Sequence, residues 1–196
     1  MVQLVLASTS PYRRALLARL GLPFVAVAPS YQEEHGLDLP TAELVQQLAL
    51  RKAQSLRDAY PRALIVAADQ VAEIDGERLF KPGTVERAVE QLLRLAGRTH
   101  RLITGLAVLE AATGRVEQAL DLQHMTLRPL SPEQAQAYVA AERPLDCAGA
   151  YRIEGRGIAL FESMRSADYT GIIGLPLIGL TTLLGRFGID PLRPPQ

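Results

Sequence analysis

The stretch Ala63-Leu64-Ile65-Val66-Ala67-Ala68 constrains the fold more than any other. An unbroken apolar run without polar alternation reads as a strand covered on both faces, which calls for helices on either side of a sheet. The run ends in Asp69-Gln70 and resumes as Val71-Ala72. An acid at such a place is costly unless paired or used. Open α/β sheets hold their ligands outside the carboxyl ends of the strands, so Asp69 is a candidate by position as well as by chemistry.

The N-terminal stretch reads as strand, turn and helix. Val2 to Ala7 is apolar, Ser10 is a good N-cap, Pro11 suits the first helical position and Gly21 is a stop. Arg13 and Arg14 fall in the first turn, where the backbone is already positive, so each should cost about 0.3–1 kcal/mol. A bound anion reverses that sign. Hydroxyls of Ser8, Thr9 and Ser10, unpaired N–H groups and two guanidiniums together resemble a phosphate cradle. Without a ligand they are solvated residues of a surface helix. On the anion reading, removing Arg13 weakens ligand binding and slightly raises stability.

Phe24 to Ala28 reads as a second strand, followed by a polar loop through Glu33 and Glu34. A helix is expected from Thr41 to about Tyr60, stopped by Pro61, with Leu44, Leu48 and Leu56 in one i, i+4 row. Lys52 falls in that row. Its stem can snorkel to water, the commoner explanation, or its ammonium can aim at a ligand. Asp75-Gly76 turns a hairpin whose return strand, Arg78 to Phe80, delivers Lys81-Pro82-Gly83. Thr84 opens a helix with Val85, Val89, Leu92 and Leu93 inward and Gly97 as its stop. His100–Leu109 and Val116–Leu127 suggest an antiparallel pair, and Ser131-Pro132-Glu133-Gln134 is a capping box for a helix to about Ala141. Ile158–Phe161 reads as a short strand, and a last helix ends near Phe187. The expected whole is one α/β domain over residues 1–196, a mixed twisted sheet with flanking helices, its Pro-rich tail 191–196 frayed.

Acidic and basic residues balance at 21 each, so no global field recruits nucleic acid or anionic lipid. No stretch approaches the ~20 apolar residues of a membrane span, and no signal peptide is evident. With the single Cys147 excluding an internal disulfide, a cytoplasmic protein is expected, with neither nucleic acid nor membrane as a partner. One cysteine and three histidines give no metal-thiolate or Cys/His catalytic spacing, and neither a Walker A sequence nor G-x-G-x-x-G after a strand occurs. What remains is Glu33, Glu34 and Asp69 against Arg13, Arg14, Lys52 and Lys81. Carboxylates suit a hard cation such as Mg²⁺, and the basic groups suit the polyphosphate oxygens such a cation bridges.

Leu6-Ala7-Ser8-Thr9-Ser10-Pro11-Tyr12-Arg13-Arg14, Lys52-Ala53, Ala68-Asp69-Gln70-Val71, Lys81-Pro82, Thr104-Gly105, Leu145 to Tyr151 and Gly174-Leu175-Pro176-Leu177 resemble the Maf family of nucleoside triphosphate pyrophosphatases over nearly the whole chain. The resemblance implies a Maf/Ham1 (ITPase-like) fold and metal-dependent hydrolysis, with Mg²⁺ or Mn²⁺, of a nucleoside triphosphate to the monophosphate and pyrophosphate. By position, Asp69 resembles the family's proton acceptor, Glu33 a metal-associated carboxylate that joins Asp69 at the metal, and Ser8, Arg13, Lys52 and Lys81 the phosphate-contacting groups; a homodimer is a common assembly. The family usually carries an acid before that glutamate. Here it is Gln32, so either Glu34 substitutes or the metal has one fewer partner.

Tyr12, Gln70 and Glu154 narrow the resemblance to the branch that acts on 7-methyl-GTP, and Cys147 agrees. The pyrimidine branch, acting on dTTP and UTP, has arginine, threonine and glutamine at the first three positions. A 7-methylguanine ring is cationic, so an aromatic face at Tyr12 attracts it by about 0.5–2 kcal/mol when desolvated, and Glu154 can accept from the guanine N1–H and amine. Alternatively Tyr12 packs on the first helix and Glu154 is a solvated acid. The rival functional classes are a dTTP/UTP pyrophosphatase and a nucleotide-binding regulator of division or septum formation.

Overall fold

The computed structural model describes residues 2–31 and 38–193. Among these the elements are β1 (Gln3–Ala7), α1 (Pro11–Ala18), β2 (Phe24–Val27), α2 (Thr41–Gln54), β3 (Ala63–Ile74), β4 (Glu77–Leu79), α3 (Val85–Leu95), β5 (Thr99–Glu110), β6 (Val116–Leu127), α4 (Pro132–Glu142), β7 (Phe161–Arg165), α5 (Tyr169–Ile173) and α6 (Leu177–Arg186). The strands form one mixed sheet in the order β2-β1-β3-β5-β6-β7, with β4 also paired to β3. β1 runs parallel to β2 and to β3, the latter in the register Gln3↔Ala63 to Leu6↔Val66. β4 is antiparallel to β3 and β7 to β6. Parallel core and antiparallel extension are thus both present. No helix among the described residues is long and apolar enough to cross a membrane.

Two compact units divide the chain, the first Met1–Asp69, Thr104–Asp121 and Asp168–Gln196, the second Gln70–Ile103 and Leu122–Ala167. In the first, the two-residue side-chain period of β3 sorts its apolar run onto two faces. Leu64, Val66 and Ala68 join Leu16 and Leu17 of α1 and Leu180, Leu183 and Leu184 of α6 in one core. Ala63, Ile65 and Ala67 join Ala53 of α2 and Leu56 in another. Helices therefore cover both faces, as the unbroken run requires. α2 rests directly on β5, because a Cβ on Gly105 would lie 2.4 Å from the carbonyl carbon of Val45.

In the second unit, Asp75 (φ +52°) and Gly76 (φ +79°) close the β3–β4 hairpin with the left-handed pair that such a two-residue turn needs. α3 packs against α4. The inner face of α3 is Ala88, Leu92 and Leu95, whereas Leu93 is exposed, a helical phase different from the expected one.

Three other boundaries differ. α2 stops at Gln54 rather than near Tyr60, since Ser55 turns its hydroxyl back onto the Lys52 carbonyl at 2.8 Å. β3 does not break at Asp69 but continues to Ile74, with β4 as a partner for its second half. Arg156–Leu160 is 3₁₀-helical, and the strand begins only at Phe161.

Candidate active site

β1 ends at Ala7, and the turn that follows is shaped by its own serines. Ser8 Oγ accepts from the Ser10 N–H at 3.1 Å, and Ser10 Oγ caps α1 by accepting from the Arg13 N–H at 3.3 Å. Each hydroxyl keeps its own proton to donate to an anion. Tyr12 is half-buried and Arg14 exposed.

Arg13 is not the unsupported cation that its place in the first turn suggests. Its Nε donates to the Gly174 carbonyl at 2.9 Å, at the end of α5. That bond opposes the unfavourable contact with the α1 dipole, so a rise in stability on removing Arg13 is no longer the expected outcome.

Lys52 does not snorkel. The residue is 5% exposed, Asp69 7%, and Nζ donates to Asp69 Oδ1 at 2.5 Å. The periods of the two elements explain the meeting. Asp69 follows Ala63, Ile65 and Ala67 on the α2-facing side of β3, and Lys52 follows Leu44 and Leu48 on the buried row of α2. Val66 is the last β3 residue paired with β1, so Asp69 stands just past the carboxyl end of β1, inside β3 rather than at its end. Removing either partner of such a buried pair typically costs 3–5 kcal/mol, because a charge is left uncompensated.

The other expected site residues divide by unit. Gln70, half-buried, and Lys81 and Glu154, both exposed, belong to the second. Glu33 and Glu34 lie outside the described residues. Among the described residues no group of three or more His, Cys, Asp or Glu is placed to hold a metal ion. Of the two expected metal ligands, Asp69 is described, and its carboxylate is the hard oxygen donor that Mg²⁺ or Mn²⁺ takes. Burial, then the neighbouring Asp146, push the Cys147 thiol up to about 12, away from the thiolate form.

The sequence reading missed Asp168. This buried carboxylate caps α5, with Oδ1 accepting from the N–H and hydroxyl of Thr170 and Oδ2 from the Ile178 N–H at 2.7 Å. Thr170 Oγ1 in turn accepts from the Leu177 N–H at 2.8 Å. The clasp fixes the loop bearing Gly174, and with it the carbonyl that Arg13 grips. An aspartate two residues before a threonine is a cap signal that could have exposed it.

The architecture is an α/β fold of the Ham1 type. A HAM1 protein from Coxiella burnetii superposes with a TM-score of 0.51 at 16% identity, covering 95% of this chain and 100% of that one. The profile of the Maf-like protein family matches residues 3–187, and the chain belongs to that family. It is similar to 7-methyl-GTP pyrophosphatases from Pseudomonas putida, 48% identical over 96% of this chain and 98% of the relative, and from Pseudomonas aeruginosa, 44% identical over 97% and 99%. A relative of the same name from Bordetella avium is 45% identical over 99% and 98%.

Proposed function

We propose that the protein hydrolyses 7-methyl-GTP to 7-methyl-GMP and pyrophosphate, removing a modified nucleotide from the cytoplasm. The buried Lys52–Asp69 pair carries this reading, in a chain with full-length relatives named for that activity. Asp69 takes a proton from the attacking water, whose oxygen bonds to the α-phosphorus. The bond from that phosphorus to the α,β-bridging oxygen breaks, and pyrophosphate leaves with the electron pair. Lys52 holds the base in place. Ser8, Ser10, Arg13, Arg14, Lys52 and Lys81 hold phosphate oxygens, since such transfers depend chiefly on positioning and neutralisation. A divalent cation, Mg²⁺ or Mn²⁺, would be held by Asp69 with Glu33 and supplies neutralisation of polyphosphate charge. Tyr12 stacks on the cationic base, Glu154 accepts from its N1–H and amine, and Gln70 completes the specificity set.

Product analysis on a panel of nucleoside triphosphates, with and without EDTA, is the test. Pyrophosphate rather than orthophosphate is expected, only with the cation present, and kcat/KM for 7-methyl-GTP should exceed that for GTP, UTP and dTTP by at least about tenfold, a difference of ~1.4 kcal/mol. UTP or dTTP hydrolysed best would move the enzyme to the pyrimidine branch, and stepwise phosphate release would end the reading.

A further inference from the structure

Glu154 is exposed and makes no ion pair or hydrogen bond with any described residue, although Arg152 and Arg156 flank it two positions away on either side. Arg152 turns to Glu142, at the end of α4, and the largely exposed Arg156 reaches only the edge of the same carboxylate. Arg152 Nη2 lies 2.7 Å from Glu142 Oε2, and Arg156 Nε 4.0 Å from Oε1. Arg152 is further tied down where its N–H donates to the Tyr138 hydroxyl at 3.0 Å. The carboxylate of Glu142 fits here because Gly155 has no side chain: a Cβ at that position would lie 2.3 Å from Oε2.

Screening decides which acid wins the arginines. The Glu142 side chain is 11% exposed, and ion pairs made there are less weakened by water and salt than pairs at the exposed Glu154. With Glu142 absent, two cations on the same short loop would turn to Glu154. They would occupy the acceptor that a guanine N1–H and amine require and set positive charge beside a cationic base. Arg152 also holds the Glu142 carboxyl below the usual carboxylate range, so the clamp stays charged wherever the enzyme works near neutral pH.

We infer that Glu142 is a positioning and specificity-determining residue, which by holding Arg152 and Arg156 keeps the Glu154 carboxylate open for the base. This rests on Glu154 reading 7-methylguanine as proposed above. Glu142 touches no substrate; it acts through the loop.

The experiment is steady-state kinetics on 7-methyl-GTP and UTP for the wild type, Glu154→Gln, Glu142→Gln, Gly155→Ala and the triple variant Glu142→Gln/Arg152→Gln/Arg156→Gln, each with a thermal melt. Glu142→Gln and Gly155→Ala should raise KM for 7-methyl-GTP about tenfold with little change in kcat, and should raise KM for UTP less. Gly155→Ala keeps every charge and only displaces the Glu142 carboxylate, so it decides the matter even where Glu142→Gln folds poorly. The triple variant should regain the 7-methyl-GTP KM, because no cation is left to occupy Glu154. An unchanged KM in Gly155→Ala, or a triple variant as impaired as Glu142→Gln, overturns the inference and returns Glu142 to loop packing. Loss of base preference in Glu154→Gln with its retention in Glu142→Gln removes the inference alone. Full preference in Glu154→Gln removes the underlying reading as well.

Discussion

The two units each bury a pair of polar side chains, and they do so in opposite ways. In the first, Lys52 and Asp69 are an ion pair. In the second, His100 Nε2 and the Tyr151 hydroxyl share a hydrogen bond of 2.8 Å, with the Tyr151 ring edge-on to His100 and to Phe161. Burial drives His100 down to about 4, against an upward pull from the Met125 backbone, and drives the Tyr151 hydroxyl well above its ordinary value. Both are uncharged at neutral pH. A polar pair that serves packing can shed its charge and still satisfy its hydrogen bond. The first unit instead holds an ion pair in a place nearly as buried, which is costly unless the pair has chemical work.

The largest expected effect comes from breaking the charged pair. Asp69→Asn should reduce turnover by ~10²–10⁴, as loss of a general base does, and should also destabilise by about 3–5 kcal/mol, because Lys52 is left buried without its counter-charge. Replacing both, as Lys52→Met/Asp69→Leu, should restore the melting temperature and leave activity at background. Chemical denaturation of the single and double variants checks this; a double variant clearly less stable than the wild type would mean that the pair is a stabilising element. The neutral pair is probed by acid. His100 is lowered in the folded state, so its contribution is complete above about pH 6.5 and is lost as pH falls through about 4, by up to about 3 kcal/mol. A stability–pH curve should show that decline, and His100→Gln should flatten it. A smaller effect is expected at Arg13. Losing the bond to Gly174 costs about 1.5–3 kcal/mol, relief from the α1 dipole returns about 0.3–1 kcal/mol, and Arg13→Ala should melt modestly lower with weaker nucleotide binding. A higher melting temperature would mean that the dipole outweighs the bond.

Much of this contrast could be anticipated from the residues. The two-sided strand, the caps at Ser10, Thr84 and Ser131, the Asp75-Gly76 turn and the span of β6 all follow from local rules, and all are present. What local rules lack is phase between distant elements. Lys52 and Asp69 were each conspicuous, yet their pairing depends on which face of β3 the odd-numbered residues take and on where α2 crosses it. The same blindness hid the turn of Arg13 toward Gly174, far away in sequence, and the choice of Glu142 over Glu154 by two arginines. The clasp at Asp168 was missed for another reason: its Asp-x-Thr spacing signals a local cap, but the Ile178 N–H that completes it comes from ten residues on.

The contact at Gly105 acts as a mechanical gauge block for the reactive pair. Main chain lies on main chain there, so the gap between α2 and the sheet is fixed by atoms that substitutions elsewhere cannot alter. Lys52 lies two turns beyond Val45, about 10 Å along a stiff rod. A methyl group at position 105 would lift that rod, and the lift would reach the ammonium nearly undiminished, where an error of about 1 Å can cost about a hundredfold in rate. The tolerance of the site is thus set by a residue whose nearest neighbours are the main chain of α2 rather than the acid or the amine.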